Sequence, residues 1–269
     1  MQQLPMRRLA LALCAAAGLG ACAGPGGVSA PSGTAELRTA SDQTDADRRA
    51  AVRMELAALH FGRGQYETAL DEIKLALQAK PELGAAFGLR GLVYASMGED
   101  TLADDSFNRA LQINPRDADA MHNRGWTLCQ RGRFAEADRM FEQALALPQY
   151  RDAQRSLMAQ GVCHARAGKL DDAERKLTRA YELEPSNPTT ALNLSEVLYR
   201  RGEFDRARFY IRRVNQRDDL SNAQTLWLAL RIENRLGNPG GVVDFGRQLR
   251  NRFPQASETL AYERGRLDE

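Results

Sequence analysis

Residues 132–148 read GRFAEADRMFEQALALP, and this stretch decides the fold. Gly132 is followed by Ala137, then by Phe141 and Ala144, and the run closes at Pro148. Steps of four and three place Ala137, Phe141 and Ala144 on one face of an α-helix. The glycine in front suits a left-handed cap ending an earlier helix, and the proline behind stops this one from running on. The same frame returns as Gly64/Ala69/Ile73/Ala76, Gly98/Ala103/Phe107/Ala110, Gly168/Ala173/Leu177/Ala180 and Gly202/Ala207/Ile211/Val214. Its glycines are 34, 34, 36 and 34 residues apart. Pro81, Pro115 and Pro185 close three copies in phase, while Pro148 is displaced by one. A helix–turn–helix unit recurring at this period cannot bury its own apolar face, so neighbouring units stack.

The frame resembles the tetratricopeptide repeat, and each position has a physical reason. The small residues Ala57, Gly91, Gly125, Gly161 and Ser195 stand on the first helix of each unit where the two helices cross, opposite the alanine five places after the glycine. The Ile, Phe or Leu position fills the layer between them. The expected fold is all-α, a right-handed superhelix of about six helix pairs. The repeats are placed at 50–83, 84–117, 118–151, 154–187 and 188–221, with a degenerate sixth at 222–255, in an array spanning 45–255. Gly237 and Pro254 mark the sixth, whose second helix is expected to be irregular because it contains Gly240, Gly241 and Gly246. A two-residue insertion near Asp152-Ala153 is expected to loosen the joint between repeats three and four. Residues 256–269 read as a C-terminal tail.

Of the 269 residues 27% are charged and 7% aromatic, and good helix formers dominate from residue 45 onward. The formal net charge is +2, from 37 basic and 35 acidic side chains. Without residues 1–21, which carry Arg7 and Arg8 and no acid, the basic count falls to 35 and the charges balance. That balance argues against nucleic acid as a partner, which calls for a basic excess. Residues 1–21 have a positive start and a short apolar run, too short to span a bilayer, and read as a signal peptide. The run ends Leu19-Gly20-Ala21-Cys22, which resembles a bacterial lipobox with Cys22 as the lipidated residue. Residues 22–44 then form a Gly/Pro/Ser-rich tether. Ala23 stands where an aspartate usually signals inner-membrane retention, so the same resemblance points to the periplasmic face of the outer membrane.

With Cys14 in the signal peptide and Cys22 lipidated, Cys129 and Cys163 remain. Both fall on first helices of adjacent repeats, and an oxidising compartment favours a disulfide. Two buried thiols acting as small apolar groups are the alternative. His60, His122 and His164 are the only histidines, and His60 and His164 share a packing position. No HExxH, paired CxxC, EF-hand, GxSxG or Walker pattern occurs. Neither an enzyme activity, a metal, a cofactor nor a small-molecule substrate is therefore expected. The inner groove lined by the first helices is left to bind a partner. Counting along that face selects Met54, Ala58 and Phe61, then Gly88, Leu92 and Ser96, then His122, Asn123 and Trp126. Met158 and Val162 follow in repeat four, and Asn193, Glu196 and Tyr199 in repeat five. Such a mixed but largely apolar lining suits an amphipathic or extended apolar segment.

Four segments carry a closer resemblance. MHNRGWTLCQRGRF (121–134) is similar to the Asn-Asn-Tyr-Gly-x-Phe-Leu-Cys-Gln-x-Gly-x-Tyr segment of the type IV pilus biogenesis and stability lipoproteins, the PilF/PilW pilotin family. GVCHARAG (161–168) resembles that family's second cysteine segment. LWLALRI (226–232) and LRNRFP (249–254) resemble its C-terminal repeat. His122, Trp126 and His164 depart from the family's usual residues. The resemblance implies a disulfide between Cys129 and Cys163. It also implies a lipid-anchored scaffold that binds the pilus secretin and promotes its localisation and multimer assembly. A general envelope adaptor recruiting peptidoglycan enzymes or a protease is the competing expectation.

Overall fold

Six glycines, Gly64, Gly98, Gly132, Gly168, Gly202 and Gly237, hold φ between 66° and 81°. Each ends one helix and releases the chain into the next. A side chain in this left-handed region clashes with its own carbonyl. Beyond Gly202 itself and its two chain neighbours, a methyl group placed there would meet no atom within 4 Å, so its effect isolates the backbone. Gly202→Ala should therefore lower stability by about 1 kcal/mol, read as a shifted midpoint in urea with an unchanged slope.

The structure, a computed structural model, describes residues 44–267. The expected signal peptide, the expected lipidation site at Cys22 and the expected tether up to residue 43 lie outside the described residues. Six helix pairs follow one another: α1 (Asp45–Gly62) with α2 (Tyr66–Ala79), α3 (Gly84–Met97) with α4 (Asp100–Ile113), and α5 (Ala118–Gln130) with α6 (Phe134–Leu145). Next come α7 (Ala153–Arg166) with α8 (Leu170–Leu183), α9 (Pro188–Arg200) with α10 (Phe204–Asn215), and α11 (Ala223–Arg235) with α12 (Pro239–Arg252). A seven-residue α13 (Ser257–Glu263) completes the array. No strand occurs among the described residues. Thr44 opens α1 with a capping box closed by Asp47.

Missing side chains make the crossings close. A Cβ on Gly91 would lie 2.8 Å from the Phe107 ring, one on Gly125 3.0 Å from Phe141, and one on Gly161 2.6 Å from Leu177. In repeat five the serine does more than stay small: Ser195 Oγ donates to the Ala207 carbonyl at 2.9 Å. Each odd-numbered helix from α3 to α11 touches its own partner, the preceding even-numbered helix and the next odd-numbered one, and α1 touches α2 and α3. The even-numbered helices make no comparable contact with one another. The odd-numbered helices therefore crowd along the inner side of a curved superhelix, and the even-numbered ones splay outward.

Ion pairs stitch the joints. Arg133 Nη1 binds Asp104 Oδ2 and Arg131 Nη2 binds Asp100, both at 2.7 Å. Asp104 is thus half-buried in a joint rather than turned to solvent. Lys176 Nζ binds Glu142 at 2.6 Å, and Arg206 binds Glu174 at 2.7 Å. At the last joint the sense reverses: Glu233 of α11, 1% exposed, receives Arg212 at 2.9 Å and Asn238 at 2.8 Å.

Three expectations are corrected. First, α12 is a regular 14-residue helix despite its glycines. Gly241 leaves room for Glu233, whose Cγ would lie 2.8 Å from an added Cβ, and Gly246 leaves room for the Tyr262 ring. Second, residues 256–269 are not simply a tail. Their segment α13 packs on α11 and α12, burying Thr259 and setting Tyr262 over Gly246. Third, the insertion does not loosen the joint between repeats three and four. The longer α6–α7 connection folds inward, placing Tyr150 OH 2.8 Å from Ser156 Oγ, and α6 packs on α7 as closely as the other joints pack.

Candidate partner-binding site

The inner face is built from one side of each odd-numbered helix. Met54 and Phe61 of α1 are half-buried against Ala57, Ala69, Ile73, Ala86 and Val93, while Ala58 is exposed. Leu92 of α3 is half-buried. On α5, Trp126 packs half-buried beside Leu128, Cys129 and Phe141, and Asn123 Oδ1 accepts from Arg155 Nη2 of α7 at 3.1 Å. Met158 and Val162 of α7 and Tyr199 of α9 lie half-buried on the core of repeats four to six. These side chains keep one surface free while their stems pack.

His122 is the exception, and its place in the groove is corrected. It is 6% exposed and enclosed between α5, α6 and α7. Its Nδ1 lies 2.8 Å from Ser156 Oγ, and its ring meets Phe141 edge-on with centroids 5.8 Å apart. The inward-folded connection explains the burial: Tyr150 and Ser156 close over a position that helical counting leaves open. Ser156 is itself fully buried, so this pair offers no exposed nucleophile.

Burial, followed by the neighbouring Arg155 charge, holds the His122 pKa down from 6.5 to about 4. Between those values the unfolded chain binds a proton that the folded chain refuses. Stability from this residue is complete above pH 6.5 and is lost as pH falls toward 4. Melting temperatures measured across that window should fall more steeply for the wild type than for His122→Leu. Parallel curves would rule this out.

Cys129 of α5 and Cys163 of α7 are joined by a disulfide with their Cα atoms 5.7 Å apart. It ties two neighbouring inner helices beside Trp126. His164 sits at the same joint with its Nε2 3.1 Å from Asp138.

Reading the apolar face alone missed a set of arginines. Arg166, Arg200 and Arg235 end α7, α9 and α11, and Arg231 lies one turn before Arg235. Arg231 stacks over Tyr199 with its guanidinium carbon 4.8 Å from the ring centroid, and Arg235 over Phe204 at 5.0 Å. Their 34- and 35-residue spacing was the available signal. Among the described residues no group of three or more His, Cys, Asp or Glu could hold a metal ion, and no helix is long and apolar enough to cross a membrane.

Stacked helix pairs with a continuous, partly apolar inner face define the class of helical-repeat binding proteins. The chain belongs to the tetratricopeptide repeat proteins. Family models of that description match residues 82–150, 122–188 and 164–229, together more than half of the chain. Among solved structures it is similar to PilW, described as a widely conserved type IV pilus biogenesis factor. The TM-score is 0.72 at 29% sequence identity, covering 79% of this chain and 97% of that one. It is also similar to PilF of Pseudomonas aeruginosa, with a TM-score of 0.72 at 23% identity, covering 82% and 100% of the two chains. YrrB, a tetratricopeptide repeat protein with an unusual peptide-binding site, shares the fold at TM-score 0.57 and 18% identity, covering 71% and 97%. Comparison with curated protein sequences returned no match.

Proposed function

We propose that this chain is a pilotin: an outer-membrane lipoprotein, anchored at Cys22 and facing the periplasm, that holds the type IV pilus secretin on its inner face and promotes its assembly into multimers. One observation carries the reading. The repeat array matches nearly the whole of PilW, a type IV pilus biogenesis factor, at 29% identity. The lipid supplies the destination, because two or more acyl chains make a durable anchor. The groove supplies the cargo. Confining both to one membrane raises their effective concentration without any further contact.

Deleting the gene tests this. Secretin multimers, followed by gel mobility and membrane fractionation, should fall in amount or leave the outer-membrane fraction. Cys22→Ala should reproduce the mislocalisation while leaving the array folded. Unchanged amount and location of secretin multimers in the deletion strain would defeat the proposal. Recovery of murein hydrolases or proteases instead of secretin from detergent-solubilised membranes would favour a general envelope adaptor.

A further inference from the structure

The inner face changes character along its length. Repeats one to three present Met54, Phe61, Leu92 and Trp126, whereas repeats four to six add the arginine row to Met158, Val162 and Tyr199. Resting on the reading that this face holds a partner, we infer that its arginine row, Arg166, Arg200, Arg231 and Arg235, binds an extended acidic segment of that partner.

Charge is the first argument. Arginines facing the outer joints are neutralised: Arg201 and Arg206 share Glu174, and Arg212 is taken by Glu233. The four inner arginines have no carboxylate within ion-pair distance among the described residues. Arg200 donates only to the Ala165 carbonyl, at 3.1 Å, and the Nε of Arg231 is buried without an acceptor. Acids are scarce on the helices that carry them. Helix α7 has none, α9 has only Glu196, and the single acid of α11, Glu233, is buried against α10. The negative C-terminal ends of α7, α9 and α11 make cations tolerable there, but this leaves the guanidinium N–H edges unused.

Geometry is the second. Stacking on Tyr199 and Phe204 fixes the planes of Arg231 and Arg235, so less side-chain freedom is lost when a carboxylate is gripped at the edge. Adjacent packed helices stand about 8–10 Å apart, and an extended chain of polyproline II form, with three residues per turn, advances about 3.1 Å per residue and keeps every third side chain on one face. Carboxylates about three residues apart therefore meet successive repeats. A lipid headgroup is the poorer fit, because a flat bilayer does not follow a concave face.

The probe is a labelled ten-residue peptide with glutamate at positions 1, 4, 7 and 10 and valine or serine between, titrated into the full chain and followed by fluorescence anisotropy. Binding should weaken as salt rises and disappear when the glutamates become glutamines. Arg231→Gln/Arg235→Gln should weaken it by about tenfold or more, as expected for lost charge-assisted hydrogen bonds. Arg166→Gln/Arg200→Gln, at the other end of the row, should do the same. Arg213→Gln, on the outer helix α10, should leave it unchanged. Equal binding of the glutamate and glutamine peptides would overturn the inference. So would undiminished binding by both double variants, an equal loss in Arg213→Gln, or arginine-dependent binding to phosphatidylglycerol vesicles in place of the peptide. Peptide binding by the purified chain is separate from the dependence of secretin multimers on the gene, so each reading can fail alone.

Discussion

Phe141→Ala is expected to lower the free energy of unfolding by about 3–5 kcal/mol, the range for truncating a fully buried aromatic ring. Phe141 is 0% exposed and packs with Leu128, Cys129, Ala137, Ala159 and Cys163. Its ring also supports His122 and fills the crossing that Gly125 leaves open. A glycine on the far wall has no side chain that could swing into the hole, so the cavity persists. The array is held by nearest-neighbour contacts, and a hole in repeat three weakens its interfaces with repeats two and four together. Phe209, 51% exposed on α10, is the control. Phe209→Ala should change stability by no more than about 0.5 kcal/mol. Repeat one solves the same crossing with Ala57 and Ile73, so Gly125→Ala combined with Phe141→Ile should recover part of the loss. Urea unfolding followed by circular dichroism measures all three. A loss below about 1 kcal/mol for Phe141→Ala would mean that the ring-on-glycine contact does not hold the crossing.

The period of the array was legible because its cause is local and repeated. A close crossing admits only Gly, Ala or Ser, and a left-handed junction favours Gly, so both leave marks every 34 to 36 residues. The glycines of α12 were misread because their cause is not local. Gly241 and Gly246 clear space for Glu233 and Tyr262, from other helices, and the same residue type elsewhere in the chain does end helices. The short α13 carries no periodic signal and gains its order from packing on α11 and α12. His122 falls on the inner face by helical counting, yet the α6–α7 connection covers it, and the path of a connection is not written in a helix period. Tracing only apolar residues along the groove also passed over the arginine row, although its spacing matches that of the repeats. The lipid site at Cys22 is an inference from the N-terminal pattern and lies outside the described residues.

Reducing the Cys129–Cys163 disulfide is expected to remove about 3–4 kcal/mol, because the bond closes a long loop in the unfolded chain. The two cysteines are 34 positions apart, and their Cα separation of 5.7 Å suits a bridge. Both are buried, at 0% and 4% exposure, so after reduction the thiols remain as small apolar groups and the folded state changes little. The effect therefore falls on the unfolded state, where the bond keeps repeats three and four from separating. Cys129→Ala/Cys163→Ala should match the reduced wild type to within the loss of two small sulfur contacts. Cys129→Ser/Cys163→Ser should be weaker still, since it places two hydroxyls in an apolar site. The joint also matters for cooperativity. With the covalent link gone, repeats one to three and four to six are coupled there through the α5–α7 and α6–α7 packing and the Lys176–Glu142 ion pair. Unfolding of the reduced chain in urea should broaden or split into two steps, as nearest-neighbour arrays do when one interface is weakened. The same titration with and without reductant tests this. A shift below about 1 kcal/mol in the wild type, or an equal shift in the double-alanine variant, would show that the bond is not what holds the two halves together.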